Sequence, residues 1–188
     1  HNTDIYGQSM DISHSIDTRP PERLRSPETA QHATDVRDDL FMPELYRYTF
    51  PELVATNREC GEDEESYKAM AGFSFLYGLR FDMTIYRCCG SLRDIPRYAA
   101  YLKEISALYE QYGDFLLRGR FVDGDGFTSD SENVLVKGWE GCNGGLAVSL
   151  WNPTGEDQVV NLRSRRTGRT VTIVVPAERV AAAVIDEA

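Results

Sequence analysis

The sequence predicts an α/β chain that closes with a small antiparallel β-sandwich, and three observations predict it. Strand-like and helix-like segments alternate as far as residue 120. Helical pattern then disappears, and the remainder breaks into short alternating runs separated by turn residues. The order loop–α–β–α–β–α points to units of a parallel sheet or (β/α)8 barrel over residues 1–122, followed by the sandwich over 123–188. Two strands are too few for a stable, helix-covered sheet. The missing strands are therefore expected upstream of His1, where the chain opens in motif-like sequence without an initiator Met.

Residues 1–26 carry Asp, Ser, Arg and Pro with little periodicity and read as a loop. Ser26-Pro27 is a helix-start signal, a hydroxyl cap followed by Pro at the first helical position, so a helix is expected over 27–42. The aromatic stretch 43–51, bounded by Pro43 and Pro51, reads as a connector. The apolar run 53–56 reads as a buried strand ending at Asn57, Arg58 and Glu59. Acidic residues 62–65 suit the positive end of a helix that continues to Tyr77 and stops at Gly78.

Residues 79–86 form the clearest strand pattern, with Leu79, Phe81, Met83 and Ile85 alternating with Arg80, Asp82, Thr84 and Tyr86. In a barrel the apolar set faces the helices and Asp82, Thr84 and Tyr86 face the lumen; an antiparallel strand with one wet face gives the same pattern. From Asp94 an apolar stripe at helical spacing runs from Ile95 to Tyr112. Beyond the turn cluster Asp123-Gly124-Asp125-Gly126, strands are expected at 134–137, 145–151, 158–163, 170–176 and 180–185.

Composition excludes several classes of function. A net charge of −10 argues against a nucleic-acid partner. No apolar run approaches the ~20 residues of a membrane span. Four cysteines and three histidines in no ligand spacing predict neither a disulfide scaffold nor a zinc site, and no cofactor is expected. Reduced thiols point to the cytoplasm, with secretion left open. The Asp123 turn fails the EF-hand pattern, with Phe127 at its fifth position and Val134 at its twelfth. Phosphate-binding, dinucleotide and nucleophile-elbow motifs are absent from the sequence. Arg163, Arg165, Arg166 and Arg169 read as a hairpin edge whose positive charge blocks edge pairing.

The polar residues at strand ends point instead to sugar chemistry. Asn57 and Arg58 offer amide and guanidinium donors at one rim position, or belong to a solvated loop. Asp82 and Tyr86 offer a carboxylate, a ring and a hydroxyl at the next. Asp4, Gln8 and Asp11 cluster with Tyr6 in the opening loop, as a sugar contact or as an ordinary acidic loop. A glycosidase requires two carboxyls about 5 to 10 Å apart.

Three stretches, Asp4-Ile5-Tyr6-Gly7-Gln8, Tyr46-Arg47-Tyr48-Thr49-Phe50-Pro51-Glu52 and Tyr77-Gly78-Leu79-Arg80-Phe81-Asp82, resemble the C-terminal part of a group of bacterial barrel-type glycoside hydrolases with an α-galactosidase-like layout. The resemblance covers residues 1–122, and the trailing β unit resembles the sandwich that caps such barrels. It implies that the two strands are barrel strands seven and eight, with carbohydrate as substrate. It implies substrate contacts from Asp4, Gln8, Asn57, Arg58, Asp82 and Tyr86. Where the group carries Glu-Gly before the first stretch, this chain has His1-Asn2-Thr3. The catalytic carboxylates are accordingly expected upstream, in the remainder of the barrel. A second reading is a non-catalytic carbohydrate-binding or assembly module using Trp139 or Trp151 as a stacking platform. Alternation with Leu146 and Val148 instead predicts Trp151 in the sandwich core.

Overall fold

The computed structural model describes residues 43–51, 53–61, 64–85 and 90–187. The expected helix at 27–42, the opening loop with Asp4, Gln8 and Asp11, and Tyr86 lie outside them.

The described chain begins with a short helix, α1 (Pro43–Thr49), where a connector was expected. Pro43 suits the first helical position, where its missing N–H costs no bond. Strand β1 (Thr56–Gly61) follows, helix α2 (Glu64–Leu76), then strand β2 (Arg80–Ile85). β1 starts three residues later than the apolar run suggests, so Asn57 and Arg58 lie within it rather than at its end. β1 and β2 pair in parallel, as the strand–helix–strand pattern predicts. Helix α2 closes with a Schellman motif: Leu79 N–H donates to the Ser74 carbonyl (2.8 Å) and Gly78 N–H to that of Phe75 (3.1 Å). Gly78 takes the left-handed φ of 61° that this ending requires.

A 3-10 turn (Leu92–Asp94) leads into the long helix α3 (Pro96–Leu116). Its buried stripe is Tyr98, Tyr101, Ile105 and Leu116. Seven strands complete the chain: β3 (Arg120–Asp123), β4 (Phe127–Ser129), β5 (Leu135–Glu140), β6 (Leu146–Trp151), β7 (Gln158–Ser164), β8 (Thr170–Val175) and β9 (Val180–Asp186). They form two antiparallel sheets, β3-β5-β6-β9 and β4-β7-β8. Val148, Leu150, Val160, Leu162, Val175 and Ile185 fill the space between them.

This architecture corrects the expectation of an α/β chain closing a (β/α)8 barrel. Seven of the nine described strands are antiparallel, and β1–β2 is the single parallel pair among the described residues. The helices lie as a layer on the outer face of the four-stranded sheet, not as a ring around parallel strands. The physical reason lies after α3: its chain turns into β3, which pairs antiparallel with β5 instead of extending a parallel sheet. The β-sandwich itself is present, and its last five strands fall within a residue or two of the expected positions except at the end of β5.

A second apolar core, on the other face of the four-stranded sheet, joins the helices to it. Ala71, Phe75 and Leu76 of α2 and Tyr98, Tyr101 and Ile105 of α3 cluster with Phe121, Trp139, Trp151 and Val180 of the sheet. The four-stranded sheet is thus buried on both faces, which is why every residue of β6 is buried. Trp151 is buried as expected, but on the helix-facing side, not in the sandwich core with Leu146 and Val148. Gly72 permits this contact, because a Cβ there would overlap the Trp151 indole. Alanine at an ordinary helical glycine gains up to about 1 kcal/mol, whereas overpacking costs about 1–3 kcal/mol. Gly72→Ala is therefore expected to lower stability in urea denaturation; a stabilised variant would contradict the close approach.

Candidate functional site

The parallel pair places the expected sugar contacts in register. Arg58 is the partner position of Asp82, and Asn57 that of Phe81. Phe81 packs against Tyr109 of α3, ring centroids 6.3 Å apart. The next residue, Asp82, projects to the opposite side of the strand, away from the helix layer. Asp82 is half-buried and has an interaction of its own. Arg58 and Asp82 are thus brought level on adjacent strands, with Asn57 one step away. Asp4, Gln8 and Tyr86 lie outside the described residues.

Pattern reading missed a second polar constellation, at the junction of α1, α2 and the four-stranded sheet. Lys137 Nζ of β5 donates to Glu44 Oε1 of α1 (2.6 Å) and to Asp123 Oδ1 of β3 (2.7 Å). Tyr77 Oη donates to the same Glu44 oxygen (2.5 Å), and Lys137 sits 5.5 Å from the Tyr77 ring centroid. Burial raises the Glu44 pKa, but the bonds from Lys137 and Tyr77 outweigh it and hold the carboxyl below its usual range. Burial alone lowers the Lys137 pKa, but its bonds to Asp123 and Glu44 reverse this, leaving the ammonium above its ordinary value. Burial, then the Glu44 carboxylate, pushes the Tyr77 hydroxyl upward, so it remains a proton donor. Beside them the buried Arg47 guanidinium lies 5.1 Å over Trp139 and donates to the Leu53 carbonyl. Lys137, Glu44, Asp123 and Tyr77 thus satisfy one another and act as a clasp, while Arg47 Nε is buried without a hydrogen-bond partner. The only local signal for it was Lys137 at a helix-facing position of β5, two residues before Trp139.

A groove of about 210 Å³ opens at one end of the sandwich beside Tyr48, Arg120, Glu140, Arg166 and Asp186. Its charges are largely satisfied internally: Arg120 pairs with Glu140 at 2.5 Å, and Arg166 lies 3.5 Å from Asp186. Asp186, buried at 2% exposure, also accepts bonds from Ser164 and Thr167, both 2.6 Å. The arginines read as one hairpin edge are all exposed but differ in partners: Arg166 braces the sandwich end through Asp186 and the Gly144 carbonyl, and Arg169 lies 3.9 Å from Glu187.

Neither proposed stacking platform is on the surface. Trp139 is 0% and Trp151 3% exposed. Trp139 Nε1 donates to Ser149 Oγ (2.9 Å), whose hydroxyl donates to the Leu76 carbonyl at the end of α2 (2.7 Å). Among the described residues no His, Cys, Asp and Glu group could hold a metal ion, and no helix is long and apolar enough to cross a membrane. Comparison with protein-family models and with curated proteins finds no match for this chain.

Proposed function

We propose that this chain takes part in cleaving glycosidic bonds of oligo- or polysaccharides, supplying substrate contacts from the Asp82 side of the β1–β2 pair. The observation that carries the reading is the parallel register of Arg58 with Asp82. Each is the third of six residues in its strand, so the reading rests on the strand face they share and not on the carboxyl ends. A carboxylate accepts from sugar hydroxyls, and an arginine at the paired strand position supplies the complementary donor chemistry. The short motifs through Asp82 that resemble glycoside hydrolases support the same reading. The β-sandwich serves as a docked scaffold. Burial of both tryptophans removes the stacking surface on which the alternative, a non-catalytic carbohydrate-binding module, was based.

The test is an amide-resolved NMR titration of the chain with a panel of neutral oligosaccharides. Residues 56–61 and 80–85 are expected to shift, and Asp82→Asn to weaken binding about tenfold, the worth of one charged hydrogen bond of about 1.5 kcal/mol. Shifts confined to the sandwich, or equal affinity of Asp82→Asn, would contradict the assignment.

A further inference from the structure

Among the described residues, strand β8 stands at the edge of the three-stranded sheet, paired on one side only, with β7. Its sequence, Thr170-Val171-Thr172-Ile173-Val174-Val175, is β-branched throughout and carries no charge and no proline. Edge strands ordinarily carry lysine, proline or a bulge that discourages pairing. The other edges of the two antiparallel sheets are built differently. β3 has four residues, with charges at both ends and a bulge, β4 has three residues, and β9 packs against α3. The arginines expected to protect the hairpin lie before and within the β7–β8 turn, leaving β8 itself bare.

The backbone pattern of β8 fixes which groups are available. Ser164 N–H donates to the Arg169 carbonyl, so Ser164 and Arg169 are a hydrogen-bonded pair. Alternation then turns the N–H and C=O of Thr170, Thr172 and Val174 away from β7. The same three side chains are on the exposed face, where Val174 is 58% exposed and its β7 neighbour Val159 is 61% exposed. On the other face Val171 and Ile173 are only half-buried, at the rim of the sandwich core.

We propose that β8 is a homotypic docking edge, on which a second copy of this chain adds its own β8 antiparallel about a two-fold axis at Thr172. In that register Thr172 meets Thr172 of the second copy and Thr170 meets Val174, so every outward backbone group of these residues finds a partner. Val171 then lies opposite Ile173, closing the half-open rim of each core with apolar contact. Charge favours this occupant over an arbitrary strand. One end of the β7–β8 hairpin carries exposed Arg163 and Arg165, and the other carries exposed Glu156 and Asp157, while Arg169 and Glu178 pair within the chain with Glu187 and Lys68. Antiparallel two-fold pairing sets the basic end of each copy toward the acidic end of the other, and no like charges face one another along the strand.

Sedimentation of the chain at rising concentration is expected to show a dimer that dissociates on dilution. Thr172→Pro removes one outward N–H and no backbone bond to β7, losing only the exposed side-chain bond from Thr172 Oγ1 to Asn161 Oδ1 (2.7 Å), which Thr172→Val also removes as the control. The proline variant is expected to fold and sediment as a single chain, and the valine variant to dimerise. Arg165→Glu is expected to weaken the dimer, and adding Glu156→Lys in the same chain to restore it. Hydrogen exchange is expected to slow at Thr170, Thr172 and Val174 as the dimer forms. A single-chain mass up to about 1 mM, the weak limit of specific association, would overturn the proposal. So would dimerisation unchanged by Thr172→Pro, or edge amides protected only when an unrelated extended peptide is added.

Discussion

Trp139→Ala is expected to cost about 3–5 kcal/mol, the usual penalty for removing a buried aromatic side chain. The indole is fully buried, packs edge-on to Phe121 with centroids 5.1 Å apart, and lies beneath the Arg47 guanidinium. Its Nε1 also anchors Ser149, which holds the last turn of α2. The substitution therefore opens a cavity where α1, α2 and the sheet meet, and it leaves Arg47 buried without its aromatic partner. Against a total stability of about 5–15 kcal/mol, this is a large fraction. Urea denaturation with helix-sensitive and tertiary-sensitive probes checks it. Because the helix-facing core includes residues of both the helices and the sheet, the two probes are expected to report a single, earlier transition. A loss below about 1 kcal/mol would show that the helices and the sandwich are not held together at this residue.

Lys137→Met should have the next largest effect, about 2 kcal/mol. Removing one partner of a fully buried ion pair costs about 3–5 kcal/mol, and the partial exposure of Glu44 and Asp123 reduces that figure here. The pH dependence gives the sharper signature. The folded-state pKa of Glu44 is depressed, so its stabilising contribution is present above its ordinary value of 4.5 and is lost as pH falls through the lower, folded value. The folded-state pKa of Lys137 is raised, so its contribution is present below 10.5 and is lost only as pH rises past the folded value. In Lys137→Met the carboxylates of Glu44 and Asp123 are left without their shared cation. Burial then raises the Glu44 pKa, and acid stabilises this part of the variant instead of weakening it. Melting curves from pH 3 to 7 check the sign, with Lys137→Arg as the charge-retaining control. Parallel acid profiles for wild type and Lys137→Met would contradict the clasp.

Much of the fold is legible in local pattern, and the misreadings share physical causes. Gly78 announces the end of α2 because a left-handed residue is needed there; β7 and β8 alternate cleanly, and β6 and β9 stand out as apolar runs between turn clusters. β3 and β4 escape notice because they are three or four residues long and straddle the Asp123–Gly126 turn. Trp151 is assigned to the wrong face because it stands an odd number of residues from Leu146 and Val148, so the alternation of the strand sets it opposite them, toward the helices. α1 is only seven residues long and rich in tyrosine, which carries little helical signal. The parallel pairing of β1 with β2 was readable from the helix between them, whereas the barrel was not. Layering of helices on an antiparallel sheet depends on where the chain goes after α3, which no local spacing encodes. The Glu44–Lys137 contact joins residues 93 positions apart, so only the folded chain reveals it.

The central claim, that Asp82 contacts a sugar undergoing cleavage, is tested most directly by turnover. In the catalytically active protein carrying these residues, Asp82→Ala is expected to lower kcat/KM by more than tenfold, or about 1.4 kcal/mol of transition-state stabilisation. Its circular dichroism and melting temperature are expected to stay close to those of the wild type, because Asp82 projects away from the helix-packed core. A normally folded Asp82→Ala protein with wild-type turnover on its glycan substrate would make Asp82 a structural residue and contradict the account.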